Sequence, residues 1–203
     1  MEKVKNQKRF GFTLIELVIV IIIVGILAVV LMPRLERDPF RVALSQVVQH
    51  IRFTQHLSMS DDVYNGHQPN WYRAIWRISF RSKNCYLVSS NIDLDKNYDK
   101  SESAIDPLTK TRLYSNTKCL YEIGDAKTMY LSDMYNIDKI TFSGACGDNR
   151  FIAFSHLGAP LKTLTEPNDK ITSQCKITFL SGVQKGIITI EAETGFTKYK
   201  IIE

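Results

Sequence analysis

The stretch from Gly11 to Met32, GFTLIELVIVIIIVGILAVVLM, carries a single ionisable side chain, Glu16. From Phe12 to Met32 it runs 21 residues, and at about 1.5 Å of rise per residue that is roughly 31 Å of helix, the thickness of a bilayer's hydrocarbon core. The expectation is a transmembrane helix over 12–32. Ahead of it, in MEKVKNQKRFG, Lys3, Lys5, Lys8 and Arg9 outweigh Glu2, and such a basic excess keeps its own end of a span in the cytoplasm. A secretory signal places its small-residue cleavage site after the apolar run. Here the small residue, Gly11, comes before it, so cleavage there would leave the apolar helix on the mature chain.

The combination of short basic leader, Gly11, then Phe12-Thr13-Leu14-Ile15-Glu16-Leu17 and an unbroken apolar run resembles the type IV prepilin signature, shared by pilins and type II secretion pseudopilins. Gly25 and Pro33 fall where such helices carry a glycine and a proline, and the resemblance covers about the first 60 residues. It implies cleavage between Gly11 and Phe12 by a prepilin peptidase, methylation of the new Phe12 amino group by the same enzyme, and an assembly role for Glu16. A carboxylate is costly within a span, and less so one turn from its end. Two fates are therefore open to Glu16: snorkelling to the headgroups, or pairing with the Phe12 amino group of a neighbouring subunit.

With 203 residues, 44% hydrophobic and 23% charged, the chain has material for one ordinary globular domain beyond the span. The formal net charge is +5, but without the leader 22 basic residues face 20 acidic ones. Net charge alone does not indicate a nucleic-acid binder.

Beyond Met32, Pro33 and Pro39 are places where a helix kinks. The pattern resumes nonetheless: Phe40, Leu44, Val47, Val48 and Ile51 recur at helical spacing, with Arg41, Gln46, Gln49 and Arg52 elsewhere, as on an amphipathic helix with one packed face. It is expected to end near Ser60 to Asp62, and acidic residues there oppose the helix dipole. His50 and His56 lie six apart, on different faces, and read as surface histidines rather than a metal pair.

From Tyr64 onward, apolar and polar residues alternate between turn formers, the signature of strands. Strands are expected over Tyr72 to Arg81, Cys85 to Ser90, Asp138 to Phe142, Phe151 to Phe154, Lys176 to Leu180, Gly186 to Ala192 and Phe196 to Ile201. In the first, Ala74, Trp76, Ile78 and Phe80 alternate with Arg73, Ile75, Arg77, Ser79 and Arg81. One face would be buried, with Trp76 and Phe80 meeting the helix, and the other basic or polar. The fold class is α+β: a long N-terminal helix, transmembrane in its first half and amphipathic in its second, packed on an antiparallel β-sheet domain. The divisions are leader 1–11, span 12–32, helix continuation 33–62 and β-rich domain 63–203, the last outside the cytoplasm.

Cys85, Cys119, Cys146 and Cys175 all lie beyond the span, where thiols oxidise. Two disulfides are expected; sequence leaves three pairings open, with Cys146–Cys175, closing a loop around the Phe151 strand, preferred. The C-terminal third, with Phe151-Ile-Ala-Phe-Ser-His-Leu-Gly-Ala-Pro160, Lys176-Ile-Thr-Phe179 and Gly186-Ile-Ile-Thr-Ile-Glu-Ala-Glu-Thr-Gly195, is similar to GspH/FimT-like minor pilins and pseudopilins. Residues 91–136 have no counterpart in that pattern and read as an insertion.

In the insertion, Asp93, Asp95, Asn97, Asp99, Ser101 and Glu102 alternate like calcium ligands, but an EF-hand's sixth and twelfth places hold Tyr98 and Ala104, which do not serve. A solvated polar loop is the default, and no metal or cofactor is expected. No Gly-x-Ser-x-Gly, phosphate-cradling glycine loop or His-Glu-x-x-His occurs, and Ser155 and His156, as strand neighbours, would face opposite ways. No enzyme is expected.

The expected function is that of a pilin-like structural subunit of the inner membrane, handled by prepilin peptidase and joined to other pilin or pseudopilin subunits and an assembly platform. In a pilus its β-domain would be extracellular. The alternative is a minor pilin that captures DNA for uptake through Arg73, Arg77 and Arg81, with Lys185, Lys198 and Lys200 as neighbours.

Overall fold

A computed structural model describes residues 12–31, 38–82, 84–95, 97–147, 149–167 and 169–202. It divides into two compact units, 1–38 and 39–203. The first contains helix α1, Leu14–Leu31, in which Glu16 is the only polar side chain. Among the described residues no helix is long and apolar enough to cross a membrane. α1 itself has 18 residues, about 27 Å of helix. Met32, the expected end of the span, lies outside the described residues, as do leader residues 1–11.

The second unit opens with α2, Pro39–Ser60. Pro39 occupies its first position, where a missing N–H costs nothing, so this proline starts a helix rather than kinking one. The expectation of one continuous helix falls partly on 32–37, outside the described residues. Every apolar position read from the α2 repeat is buried, and Ala43, His50, Thr54 and Ser58 widen the stripe.

Among the described residues eight strands follow: β1 Arg77–Phe80, β2 Tyr86–Ser89, β3 Lys139–Gly144, β4 Phe151–Phe154, β5 Pro160–Leu161, β6 Cys175–Ser181, β7 Gln184–Ile190 and β8 Thr197–Ile202. They form two four-stranded sheets, ordered β2-β1-β4-β5 and β3-β6-β7-β8, with every named pairing antiparallel. α2 contacts β1 and β4 of one sheet and β7 and β8 of the other. Its Phe40, Leu44, Val47 and Ile51 share one core with Ile78, Phe80, Tyr86, Phe154, Phe179 and Ile188. α2 comes close to β7 at Gly186, where a Cβ would collide with Leu44 and stand 3.1 Å from Phe40. Glycine is needed there for space, since the helix rests on the strand backbone.

Two strand expectations change. Tyr72 to Arg81 begins not as a strand but as a 3-10 turn, Trp71–Ala74, because Pro69 and Asn70 start a turn in which Trp71 N donates to Gln68 O and Arg73 N to Asn70 O. β5 escapes the alternation because it is two residues long and contains a proline, which an edge strand accommodates. Trp76 meets the end of α2, with Ser58 Oγ donating to its carbonyl at 3.3 Å, while Phe80 stacks on Tyr86 and meets Phe142 and Phe179 edge-on.

The 91–136 segment contains no named strand among its described residues but closes over β2. Val88 N donates to Leu113 O, Ala104 N to Val88 O and Ser90 N to Glu102 O. Ala104, Leu113, Met129 and Tyr130 are buried in the main core. It ends in α3, Leu131–Tyr135.

Candidate functional site

The residues singled out for processing and assembly sit at the start of α1. Thr13 precedes the helix and Glu16 is its third residue, the Thr-x-x-Glu spacing of a capping box. Thr13 N donates to Glu16 Oε2 at 2.9 Å, Thr13 Oγ1 donates to the same oxygen at 2.9 Å, and Glu16 N donates to Thr13 Oγ1 at 3.3 Å. Two amide groups that a helix start leaves without partners are thereby served, and the carboxylate lies at the positive end of the dipole. Glu16 Oε1 stays outside the box. The spacing Thr13-Leu-Ile-Glu16 is the local signal for the hydrogen-bonding role of Thr13. Gly11 lies outside the described residues; Phe12 is described and 86% exposed.

Apolar side chains from Leu14 to Leu27 are also exposed. A helix apolar on all sides is characteristic of a membrane or of the interior of a large assembly. Within this chain α1 has no amphipathic pattern with which to choose a face.

The three arginines do not form the expected face. Arg77 is 4% exposed; its Nη1 donates to Tyr98 Oη at 2.9 Å and its Nη2 to Arg73 O at 2.6 Å, with the guanidinium 4.5 Å from the Tyr98 ring centroid. Burial lowers the Arg77 pKa, opposed by Tyr98 and Glu102, and the group stays a cation. Alternation failed here because β1 is an inner strand whose second face is covered by the insertion that supplies Tyr98. Arg73 is in the 3-10 turn and Arg81 follows β1, both half-buried. Lys185, Lys198 and Lys200 are exposed on β7 and β8 of the other sheet, and Lys198 is paired with Glu191 at 3.0 Å.

His50 also departs from expectation. It is 5% exposed, with Nδ1 2.8 Å from Tyr86 Oη and Nε2 2.9 Å from Gln46 Nε2. Desolvation is the main cause that drives its pKa down to about 4, with Asp106 opposing. The extra width of the buried α2 stripe puts it inside; His56 remains exposed.

The four cysteines pair as Cys85–Cys119 and Cys146–Cys175, with Cα atoms 5.7 and 4.9 Å apart. The first ties the insertion to the start of β2. The second joins the ends of β3 and β6, where Gly144 lies opposite Cys175.

In the acidic part of the insertion, the oxygens are turned onto the chain itself. Asp93 Oδ1 accepts from Asp95 N, Asp95 Oδ1 from Asn97 N, and Glu102 from Ile92 N and Asp99 N. Among the described residues no group of three or more His, Cys, Asp or Glu could hold a metal ion. Deeper in, Asp125 is buried and held by Lys100 at 2.6 Å and Tyr130 Oη at 3.0 Å, a contact across 25 residues of chain that the sequence did not signal.

Comparison with known proteins bears on the N-terminus. No curated protein and no solved structure matches the chain. Residues 6–32 match the family described as the prokaryotic N-terminal methylation motif, the type IV pilin-like prepilin signature, whose members are structural proteins and which implies processing by prepilin peptidase.

Proposed function

We propose that this chain is a pilin-like structural subunit, without enzymatic activity, of a type IV pilus or a type II secretion pseudopilus. Prepilin peptidase cuts between Gly11 and Phe12 and methylates Phe12. The 12–32 stretch anchors the protein in the inner membrane with its N-terminus cytoplasmic, and 63–203 lies in the periplasm until assembly. The supporting observation is the conjunction, on one helix, of the methylation motif at 6–32 with apolar side chains exposed on all sides. Such a surface asks for lipid first and neighbouring helices afterwards. Glu16 is the assembly residue: its Oε1 meets the Phe12 amino group of an adjacent subunit while Oε2 keeps the cap. The similarity of 151–195 to GspH/FimT-like subunits favours a minor rather than a major component.

Intact-mass measurement tests this reading. Protein from cells with active prepilin peptidase should begin at Phe12 and carry one added methyl group, and Gly11→Leu should accumulate uncut. Mature protein that retains residues upstream of Gly11 would overturn the proposal.

The DNA-uptake alternative draws on Lys185, Lys198 and Lys200, which are exposed. Arg77, its central residue, is enclosed, and the structural reading is preferred for that reason.

A further inference from the structure

Where α2 ends, the chain turns back over a cleft of about 530 Å³. Tyr64, Trp71 and Trp76 supply aromatic walls, and Asp61 and Asp62 stand among them. Tyr64 and Trp71 meet nearly at right angles, 73° with centroids 5.2 Å apart, so they form a corner rather than a stack. Trp76 Nε1 donates to Asp61 Oδ2 at 2.8 Å, which fixes the indole, and Tyr64 N donates to Asp62 Oδ1 at 3.1 Å. The second oxygen of each carboxylate lies outside those bonds.

Apart from His156, the charged side chains that line the cleft among the described residues are acidic. A helix C-terminus carries partial negative charge, which basic residues ordinarily offset; α2 has no basic residue in its last turn and is followed by two aspartates. No lysine or arginine lines the cleft among the described residues. Aromatic faces add the negative side of their quadrupoles. Helix end, carboxylates and rings therefore converge on a volume to which the chain brings no lysine or arginine.

We propose that this cleft binds an alkylammonium group, its positive charge facing Asp61 and Asp62 and its alkyl surface against Tyr64, Trp71 and Trp76. A quaternary, choline-like headgroup and a primary amine such as a lysyl side chain share that chemistry. The site is independent of processing and assembly, and its test reads neither.

The chain has two tryptophans, and both line the cleft, so intrinsic fluorescence reports on this site. The full chain in maltoside micelles is titrated with choline, with n-butylammonium and with 3,3-dimethyl-1-butanol, the neutral isostere of choline. At least one ammonium should give a saturable change, with the neutral alcohol at least about tenfold weaker, as expected when cation–π and charge contacts are lost. The preferred ammonium identifies the source. Asp61→Asn with Asp62→Asn should weaken binding about tenfold or more at unchanged near-ultraviolet circular dichroism, while Asp133→Asn, at an exposed position of α3, should not. Should the double variant fail to fold, Tyr64→Leu serves, since Tyr64 is 66% exposed, and it should weaken binding likewise. Equal response to the neutral alcohol, undiminished binding by the folded variants, or no saturable response to either ammonium would overturn the proposal.

Discussion

α1 and α2 are helices of similar length, 18 and 22 residues, yet their exposed surfaces are opposite in character. α2 has apolar residues on one stripe and buries them against both sheets of its own domain. α1 is apolar on every side, and its side chains from Leu14 to Leu27 are exposed. Burial of α2 is thus an intramolecular matter. α1 has no stripe of that kind, and on the proposed function its apolar surface is covered by lipid or by other subunits, so substitutions in the two helices should register in different assays.

The largest contrast is expected at Glu16. Glu16→Ala removes half of the capping box and, on the proposed pairing, the acceptor for a neighbour's Phe12 amino group. Membrane insertion and cleavage should persist, because removing a charge from a span favours insertion, while incorporation into sheared filaments should be lost. Incorporation equal to wild type at equal membrane abundance would reduce Glu16 to a local cap.

Next in size is a paired truncation. Ile51→Ala, at a fully buried α2 position, should cost about 2–5 kcal/mol of domain stability in urea denaturation. Ile21→Ala, in α1, should change it by less than about 0.5 kcal/mol. Similar losses from both would mean that α1 contributes to domain stability after all.

Gly186→Ala probes the contact that seats α2 on β7. Its new methyl group runs into Leu44, and overpacking of this kind costs about 1–3 kcal/mol. Combining it with Leu44→Ala should recover part of the loss, a non-additivity that a double-mutant cycle would measure.

At neutral pH the least visible effect is the pH dependence of the α2 packing. Folded His50 stays neutral down to about pH 4, whereas the unfolded chain takes up that proton near pH 6.5. Its contribution is therefore fully present above about pH 6.5 and declines as pH falls toward 4, by roughly 2 kcal/mol between pH 7 and pH 5. Relative to wild type, His50→Gln should flatten that part of the stability profile. Parallel profiles would show that His50 takes a proton in the folded domain as readily as in the unfolded chain.

Local pattern sufficed wherever a residue's environment is set by its near neighbours. β4 falls on Phe151 to Phe154, the apolar run expected to be a strand, and the apolar repeat of α2 names five of its buried residues. It failed wherever a second layer was added from afar. Arg77 alternates like a solvent-facing residue and is covered by Tyr98, 21 positions on. His50 has the spacing of a stripe edge but pairs with Tyr86, 36 positions on. The aromatic cleft is not legible locally because Tyr64 and Trp71 follow no short-range period, Trp76 has the alternation of a strand residue, and Asp61 stands out only as an unfavourable helix end.

The sequence by itself determined the basic leader, the apolar helix with its Thr13-x-x-Glu16 start, the amphipathic α2 and most of the strands, because hydrophobic period and capping are properties of consecutive residues. Only the tertiary structure decided which cysteines pair, which cations are enclosed and where two tryptophans meet two aspartates. Those outcomes depend on chain closures of tens of residues, such as the 34 and 29 between paired cysteines, whose selection rests on the packing of the whole core rather than on any local preference.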